Sequence, residues 1–425
     1  MLFMTFRSVM SALAQRPIPR RKSRNYQAAM QRWLISALLL SAGISAHATD
    51  FNFPVNPPPA CSRNNVNYAC SALTLNTGDT VTVASGLVVN VTVNGDFTAN
   101  ARVKINESGT ASSVNILVNG ITTIGANSVL NANISSLGKG STINIGDNNI
   151  IVGDLTTEDA AINVGDRTTI QGSLSTTLRG VITVGSNSSV SGDLTTVTGA
   201  INVGARSTTG SLISTSAGAI TTGAFSVVNG KISTGAGAVT IGDDSKVSKS
   251  ITTSVGAITT GARSTVGGKI NNLDTSTAGA VTVGDDGIVI GAIVTGAGAV
   301  TLGTRAQAAG IATQDGAITV GSSSYTKGSL CTNNSGAITV GANSKVDGNV
   351  ITKTAGAITI GAKAMVLGIA VVKRAGALSV AESASVGTTA SDLGCAGDAA
   401  TEPPEQAAAP AIKSRTWRQL FMRRS

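Results

Sequence analysis

The sequence contains almost no histidine and few aromatic residues. His47 is the only histidine among 425 residues, and Phe, Trp and Tyr together make up 3% of the chain. Cleavage of an export signal after Ala48 would remove His47. A chain without histidine excludes Ser-His-Asp and Cys-His catalysis as well as histidine metal ligands. We therefore expect no catalytic site, no metal site and no cofactor, and we predict that the protein is not an enzyme.

Charged residues are also scarce, at 12% of the chain, and their positions matter more than the net charge of +9. Seven basic residues lie before residue 49 and five lie after residue 400, which leaves 19 basic and 20 acidic residues between them. This central part is close to neutral. It does not have the basic stripe that nucleic-acid binding requires, so no nucleic-acid partner is expected.

Long apolar runs are absent apart from one near the start of the chain. The run WLISALLLSAGI, at 33–44, follows basic residues and precedes Ala46-His47-Ala48, a small-x-small cleavage pattern. Because a transmembrane helix needs about 20 apolar residues, we interpret residues 1–48 as a signal peptide with a long basic leader; an uncleaved anchor is the alternative. Met30 could be the true start. The predicted location is exported: periplasmic, on the outer surface or extracellular.

The four cysteines suit an oxidising compartment, where disulfides persist. Cys61 and Cys70 enclose eight residues, and we predict that they form a disulfide. Cys331 and Cys395 could pair only if the fold brings their Cα atoms within about 7 Å, because disulfide geometry is specific. The sequence leaves that second pairing open.

Glycine is abundant, with 50 residues, and much of it is periodic. A glycine follows a short aliphatic segment about every 20 residues, the signature of a solenoid. These glycines, here called the glycine column, are Gly125, Gly146, Gly165, Gly185, Gly204, Gly223, Gly242, Gly261, Gly284, Gly303, Gly321, Gly341 and Gly361, with Ala381 in the next slot.

Apolar and polar residues alternate before each of these glycines, as they do in a β-strand. Two further apolar columns follow in each repeat, at positions such as Val346 and Val350. Together they predict an all-β fold: a parallel β-helix, or β-solenoid, of about 14 rungs with repeats of about 20 residues and three short strands per rung. In one repeat the predicted core residues are Ile338, Val340, Val346 and Val350. The predicted corner residues, where glycine accepts positive φ, are Gly336, Gly341 and Gly348.

Composition divides the rest of the chain. We predict a β cap at 49–119, solenoid repeats at 120–390, a disordered linker at 391–412 and a basic amphipathic tail at 413–425. In the tail, Trp417, Leu420 and Phe421 are spaced as on one face of a helix, beside basic residues such as Arg418. Such a tail could contact an anionic membrane surface or a partner protein, or it could be unused.

Three repeated features suggest ligands. The glycine-rich segments lack the GK[ST] ending of a phosphate-binding loop, and we interpret them as structural. Acidic residues follow the glycine column at Asp147, Asp166, Asp243 and Asp285; calcium sites and plain turn residues are the two alternatives. Outward Ala and Thr positions form a ladder along the solenoid. The threonines proposed for interaction are Thr282, Thr301, Thr319, Thr339 and Thr359.

The repeats, for example SKVDGNVITKTAGAITIG, resemble the polymer-forming bactofilins, which are β-helices that assemble end to end. The stretch ACSRNNVNYACSALTLNTGDTVTV, leading into GITTIGANSVLNANISS, is similar to the N-terminal part of MshQ-type envelope proteins of bacterial MSHA pilus systems. Bactofilins typically lack a signal peptide and are cytoplasmic, and the large C-terminal region of MshQ-type proteins has no counterpart here. These resemblances imply a β-helical protein of the envelope that self-associates or joins a surface polymer.

Composition, repeats and resemblance together predict an exported structural or adhesive β-solenoid of the bacterial cell envelope or surface, which could self-associate into filaments or lattices. The alternative is an ice-binding or polysaccharide-binding solenoid that uses the outward Ala/Thr ladder, since a flat array of methyl and hydroxyl groups suits contact with ice or with a polysaccharide.

Overall fold

The computed structural model describes residues 48–272, 274, 276–391 and 395. The predicted signal peptide at 1–48 lies outside these residues except for Ala48, the predicted linker at 391–412 does so except for Ser391 and Cys395, and the tail at 413–425 does so entirely. The described residues form 50 short β-strands and one 3₁₀ helix, Ala111–Ser113. Successive strands turn through three faces and then return to the first, so the chain forms a parallel β-solenoid, as predicted.

Face 1 holds the strand that precedes the glycine column. It contains 16 parallel strands in continuous register. They are Leu73–Leu75, Phe97–Ala99, Thr122–Ile124, Ile143–Ile145, Ile162–Val164, Ile182–Val184, Ile201–Val203, Ile220–Thr222, Val239–Ile241, Ile258–Thr260, Val281–Val283, Val300–Leu302, Ile318–Val320, Ile338–Val340, Ile358–Ile360 and Leu378–Val380.

Face 2 follows face 1 in each turn and contains 17 parallel strands. They are Asp50–Phe53, Thr80–Val83, Lys104–Ile105, Val129–Asn131, Ile150–Val152, Thr169–Gln171, Ser189–Val190, Thr208–Thr209, Val227–Val228, Lys246–Val247, Thr265–Val266, Ile288–Val289, Gln307–Ala308, Tyr325–Thr326, Lys345–Val346, Met365–Val366 and Ser385–Val386.

Face 3 completes the turn with 17 strands, of which only the first pair is antiparallel. They are Cys61–Asn64, Asn67–Cys70, Val89–Val93, Val114–Val118, Asn133–Ser136, Leu155–Thr157, Leu174–Thr176, Leu194–Thr196, Ile213–Thr215, Ile232–Thr234, Ile251–Thr253, Ile270–Asn272, Ile293–Thr295, Ile311–Thr313, Leu330–Thr332, Val350–Thr352 and Ala370–Val372.

The solenoid has 16 turns on face 1, two more than the 14 predicted from the glycine column. The additional turns contain Leu73–Leu75 and Phe97–Ala99, which continue the register of the later strands. They escaped the prediction because Asn76 and Asn100 occupy the glycine slot there. At about 4.8 Å per turn, 16 stacked strands extend about 75 Å.

Aliphatic residues fill the core between the faces, as the alternation predicts. Ile338, Val340, Val346 and Val350 are all fully buried. Two inward columns are polar, however. Serines three residues after the glycine column are buried and donate to a glycine carbonyl of the preceding turn, as from Ser264 Oγ to Gly242 O at 2.8 Å. Four threonines that end face 3 strands, Thr196, Thr215, Thr234 and Thr253, do the same at the next corner, as from Thr234 Oγ1 to Gly218 O at 2.9 Å. These bonds satisfy buried polar groups between turns.

The corner after face 1 differs from the prediction. Gly341 and Gly348 do not have positive φ, and only Gly336 of the three predicted corner glycines does, at +140°. The left-handed residue lies two positions after the glycine column instead, as at Asn343, where φ is +58°. The glycine column is needed because the backbones of neighbouring turns approach closely there. A Cβ on Gly185 would lie 2.5 Å from the carbonyl carbon of Gly165 in the turn before. Only glycine allows stacked turns to approach so closely.

Candidate functional site

The outward side of face 1 carries a threonine ladder. Eight consecutive turns each present a threonine at the central position of the face 1 strand, and each lies directly opposite the next in register. These residues, here called the threonine ladder, are Thr221, Thr240, Thr259, Thr282, Thr301, Thr319, Thr339 and Thr359. The five threonines that the sequence marked for interaction are therefore five adjacent steps of one ladder. All are exposed or half-buried.

An alanine column runs beside the threonine ladder, at the residue just before each face 1 strand and two residues before the strand's central position. Its members are Ala200, Ala219, Ala238, Ala257, Ala280, Ala299, Ala317, Ala337, Ala357 and Ala377. Each is exposed or half-buried, and neither column contains a charged residue between Ala200 and Ala377. Strand geometry spaces the two columns by about 6.6 Å and successive turns by about 4.8 Å. Face 1 thus presents a regular uncharged grid of methyl and hydroxyl groups.

The corner after face 1 carries charged side chains, and these form ion pairs between successive turns. The guanidinium of Arg263 donates to both carboxylate oxygens of Asp244, at 2.7 and 2.6 Å, and Arg305 does the same to Asp286. All four residues occupy the left-handed position of their turn. The hydrogen bond from Arg263 lowers the pKa of Asp244, and the bond from Arg305 lowers that of Asp286. These exposed pairs hold the charged side chains along the corner.

The acidic residues that follow the glycine column bond to the backbone. Oδ1 of Asp166 accepts the N–H of Ser186 at 2.7 Å, and Oδ1 of Asp285 accepts that of Thr304 at 2.7 Å. Asp147 and Asp243 accept equivalent N–H groups from the following turn. The described residues contain no cluster of three or more His, Cys, Asp or Glu side chains that could hold a metal ion. The geometry favours the turn interpretation, with a specific role in joining neighbouring turns.

A polar cluster on face 2 had no signal in the sequence. The hydroxyl of Tyr325 donates to Asp347 at 2.5 Å, and the ammonium of Lys345 lies 2.8 Å from the same carboxylate. The bond to Asp347 raises the pKa of Tyr325. Lys345 also lies over the Tyr325 ring, 5.4 Å from its centroid. This single cluster is not repeated along the face, and we assign it a structural role.

Two disulfides are present in the structure: the predicted pair Cys61–Cys70 and the pair that the sequence left open, Cys331–Cys395. Cys61 and Cys70 face each other across the antiparallel strand pair that begins face 3. Cys331 lies on the outward side of face 3 and is joined to Cys395, with Cα atoms 5.8 Å apart. This second disulfide fixes the chain after the last turn against face 3. Trp417, Arg418, Leu420 and Phe421 lie outside the described residues.

No protein family, curated protein or solved structure matches the chain. The resemblances to bactofilins and to MshQ-type proteins therefore stay predictions. No helix in the described part of the chain is long and apolar enough to cross a membrane.

Proposed function

We propose that the protein is an exported structural or adhesive β-solenoid of the bacterial cell envelope or surface, which binds through face 1. The observation that carries the proposal is the threonine ladder. Eight in-register threonines beside an alanine column give an uncharged surface that extends about 34 Å over seven steps of about 4.8 Å. Such a surface suits a partner that is itself extended and repetitive, including a second solenoid packed side by side.

Export has independent support. Residues 33–48 have the pattern of a cleavable signal, and both disulfides suit an oxidising compartment. The repeated surface supports a role in adhesion or assembly, because each turn offers the same weak contact and the contacts add along the solenoid. The partners we propose are other copies of the chain or a polymer of the envelope.

The test replaces Thr282, Thr301, Thr319 and Thr339 together with lysine in the full chain. Four charges in adjacent turns should abolish binding through face 1, because like charges on two such faces repel and partners must desolvate them. A matched control places lysine at Thr156, Ser175, Thr195 and Ser214, which point outward from face 3 in four adjacent turns. Cell fractionation and negative-stain microscopy then report envelope association and lateral assembly. The proposal fails if both variants behave like the wild type.

The second candidate is ice or polysaccharide binding, and the constant spacing of the two columns favours it. An ordered solid or a regular glycan could match a grid with a fixed repeat. Thermal hysteresis and co-sedimentation with envelope polysaccharides test this candidate, and the same two lysine variants separate face 1 from face 3. If the wild type shows neither effect, this candidate fails.

A further inference from the structure

The C-terminal end of the solenoid exposes residues that elsewhere form the core. Leu378 and Val380 occupy the inward positions of the last face 1 strand, where they are 46% and 42% exposed. One turn earlier, Ile358 and Ile360 at the same positions are 0% and 1% exposed. On face 3 of the same end, Ala370 and Val372 occupy the inward positions of the last strand and are only half-buried. The end is therefore an open cross-section of the aliphatic core.

Among the described residues, the last face 1 strand pairs along one edge only. In earlier turns the N–H of the first strand residue donates to the following turn, as from Ile338 to Ala357 O and from Ile358 to Ala377 O. For Leu378 no following turn exists within the described residues. An apolar strand with a free edge is a template for pairing with another strand.

The N-terminal end is closed by comparison. Phe53 and Tyr68 cover it, with their rings packed edge to face at 4.4 Å, and both are buried. The first face 1 strand keeps Leu73 and Leu75 buried under this cover. A prolyl segment, Pro57 to Pro59, follows the first strand, and proline discourages strand addition. An assembly that joins the open end of one copy to the closed end of the next is thus not favoured.

The described chain does not turn back over the open end. After the last strand, Ser391 exchanges two 2.9 Å hydrogen bonds with Asn349, and Cys395 is joined to Cys331. Asn349 and Cys331 lie progressively further from the end, in earlier turns. Ser391 and Cys395 therefore lie along face 3 and away from the end, and no residue in the described part of the chain covers the end.

The shape of the end fits a second copy of itself. The last strands of faces 3, 1 and 2 rise as a ramp, because each lies one third of a turn beyond the one before. A two-fold axis through face 1, at Ser379, places the most advanced strand, Ser385–Val386, above the least advanced strand of the other copy, Ala370–Val372. The two Leu378–Val380 strands then meet antiparallel. An axis through either other face would set advanced strands against each other.

The same axis brings opposite charges together. Lys373 and Arg374 lie at the corner before the last face 1 strand, and Glu382 lies at the corner after it. All three are exposed. Because the two strands run in opposite directions, the basic corner of each copy lies beside Glu382 of the other. Charge complementarity of this kind fixes the register of an interface.

We propose that the C-terminal end is an isologous interface through which two copies form a closed dimer about a two-fold axis at Ser379. The dimer closes the C-terminal end, and Phe53 and Tyr68 cover the N-terminal end. Assembly through the ends is therefore limited to two copies. This inference goes beyond the proposed function, because it concerns the ends of the solenoid and makes no use of the threonine ladder.

The first test uses analytical ultracentrifugation of the chain from Thr49 to Ser425. The wild type should dimerise, and Leu378→Arg/Val380→Arg should raise the dimer Kd at least about tenfold, as expected for charges placed at an interface centre. Ile290→Arg is the control, since Ile290 is 64% exposed on face 2 away from this end. A wild type that stays monomeric overturns the proposal, including the case in which its own residues after Cys395 cover the end. An equal effect of Ile290→Arg also overturns it.

Cysteine cross-linking separates this interface from lateral packing. Ser379→Cys should give a disulfide-linked dimer on mild oxidation, because the two-fold axis passes beside that residue. Thr301→Cys, at the same strand position in the middle of the threonine ladder, should not cross-link through the ends. Cross-linking of Thr301→Cys with none of Ser379→Cys would support lateral packing and overturn the end-to-end dimer. The reverse result would support the dimer whatever becomes of the proposed function.

Charge exchange tests the register. Glu382→Lys alone, and Lys373→Glu/Arg374→Glu alone, should each weaken dimerisation, because each leaves like charges facing each other in a homodimer. An equal mixture of the two variants should form a heterodimer more tightly than either variant dimerises with itself. A mixture no tighter than the separate variants overturns the proposed axis.

Discussion

Two buried threonines on face 1 should destabilise the solenoid. Thr222 and Thr260 end face 1 strands at the inward position that is Val203 and Ile241 in neighbouring turns. Each is only 2% exposed, and neither hydroxyl makes a hydrogen bond. A buried polar group without a partner costs about 1–3 kcal/mol. Thr222→Val removes the hydroxyl and keeps the side-chain shape, so we expect a stabilisation of about 1–2 kcal/mol.

Two neighbouring threonines provide controls with different expected signs. Thr215 is also buried, but its hydroxyl donates to Gly199 O at 3.0 Å, so Thr215→Val should destabilise by about 1–2 kcal/mol. Thr221 points outward from the same strand as Thr222, and Thr221→Val should change stability by less than about 0.5 kcal/mol.

Native-state hydrogen exchange is the suitable assay, because a solenoid can open locally and a single unfolding midpoint would average over many turns. Protection of the amides in 213–241 should rise in Thr222→Val and fall in Thr215→Val. Lower protection in Thr222→Val would refute the reasoning, as would the same sign of effect in both buried variants.

Three further predictions concern the connections between faces and the polar cluster on face 2. Gly185→Ala should destabilise the protein by about 1–3 kcal/mol or more through overpacking, because the new Cβ would meet Gly165. Gly140→Asn, at φ +75° with open space around it, should cost less than about 1 kcal/mol. Thermal unfolding measures the stability of both variants, and equal costs would contradict the role of the glycine column in stacking the turns. Hydrogen bonds from the backbone N–H groups of Ser276 and Thr277 lower the pKa of Asp274 to about 2. The ionised Asp274 carboxylate should therefore stabilise the folded protein fully above about pH 4, the pKa of the unfolded chain. This contribution to stability should be lost as pH falls toward 2. Acid unfolding of Asp274→Asn should accordingly converge with the wild type near pH 2, and a gap that widens there would refute this sign. Asp347→Asn should lower the pKa of Tyr325 toward its ordinary value in an absorbance titration of the phenol, and an unchanged titration would show that Asp347 does not cause the shift.

The inward and outward columns of the solenoid were readable from the sequence because alternation with period two survives in every repeat. Ile338 and Val340 point inward and Thr339 outward, as the pattern requires. The number of turns was less accessible, since Asn76 and Asn100 replace glycine in the first two turns. The left-handed corner positions could not be predicted where they hold arginine or phenylalanine, as at Arg263 and Phe225, because neither residue type is enriched at positive φ.

The candidate site divides in the same way. Periodicity alone placed Thr282 and Thr301 in one ladder, because residues one repeat apart stack in register. The open end was invisible to it, since Leu378 and Val380 fit the core pattern as well as the residues of any other turn. Their exposure depends on where the stack stops and on the path of the chain toward Cys395, which composition does not encode.

The most direct test of the account measures distances along the threonine ladder. Spin labels on cysteines at positions 221 and 301, and separately at 221 and 359, span four and seven turns of face 1. At about 4.8 Å per turn, double electron–electron resonance should give about 19 and 34 Å between the labelled backbones, in a ratio of four to seven. Distances that fail to grow in proportion to the number of turns would contradict a straight, evenly spaced face 1, and with it the surface on which the proposed function depends.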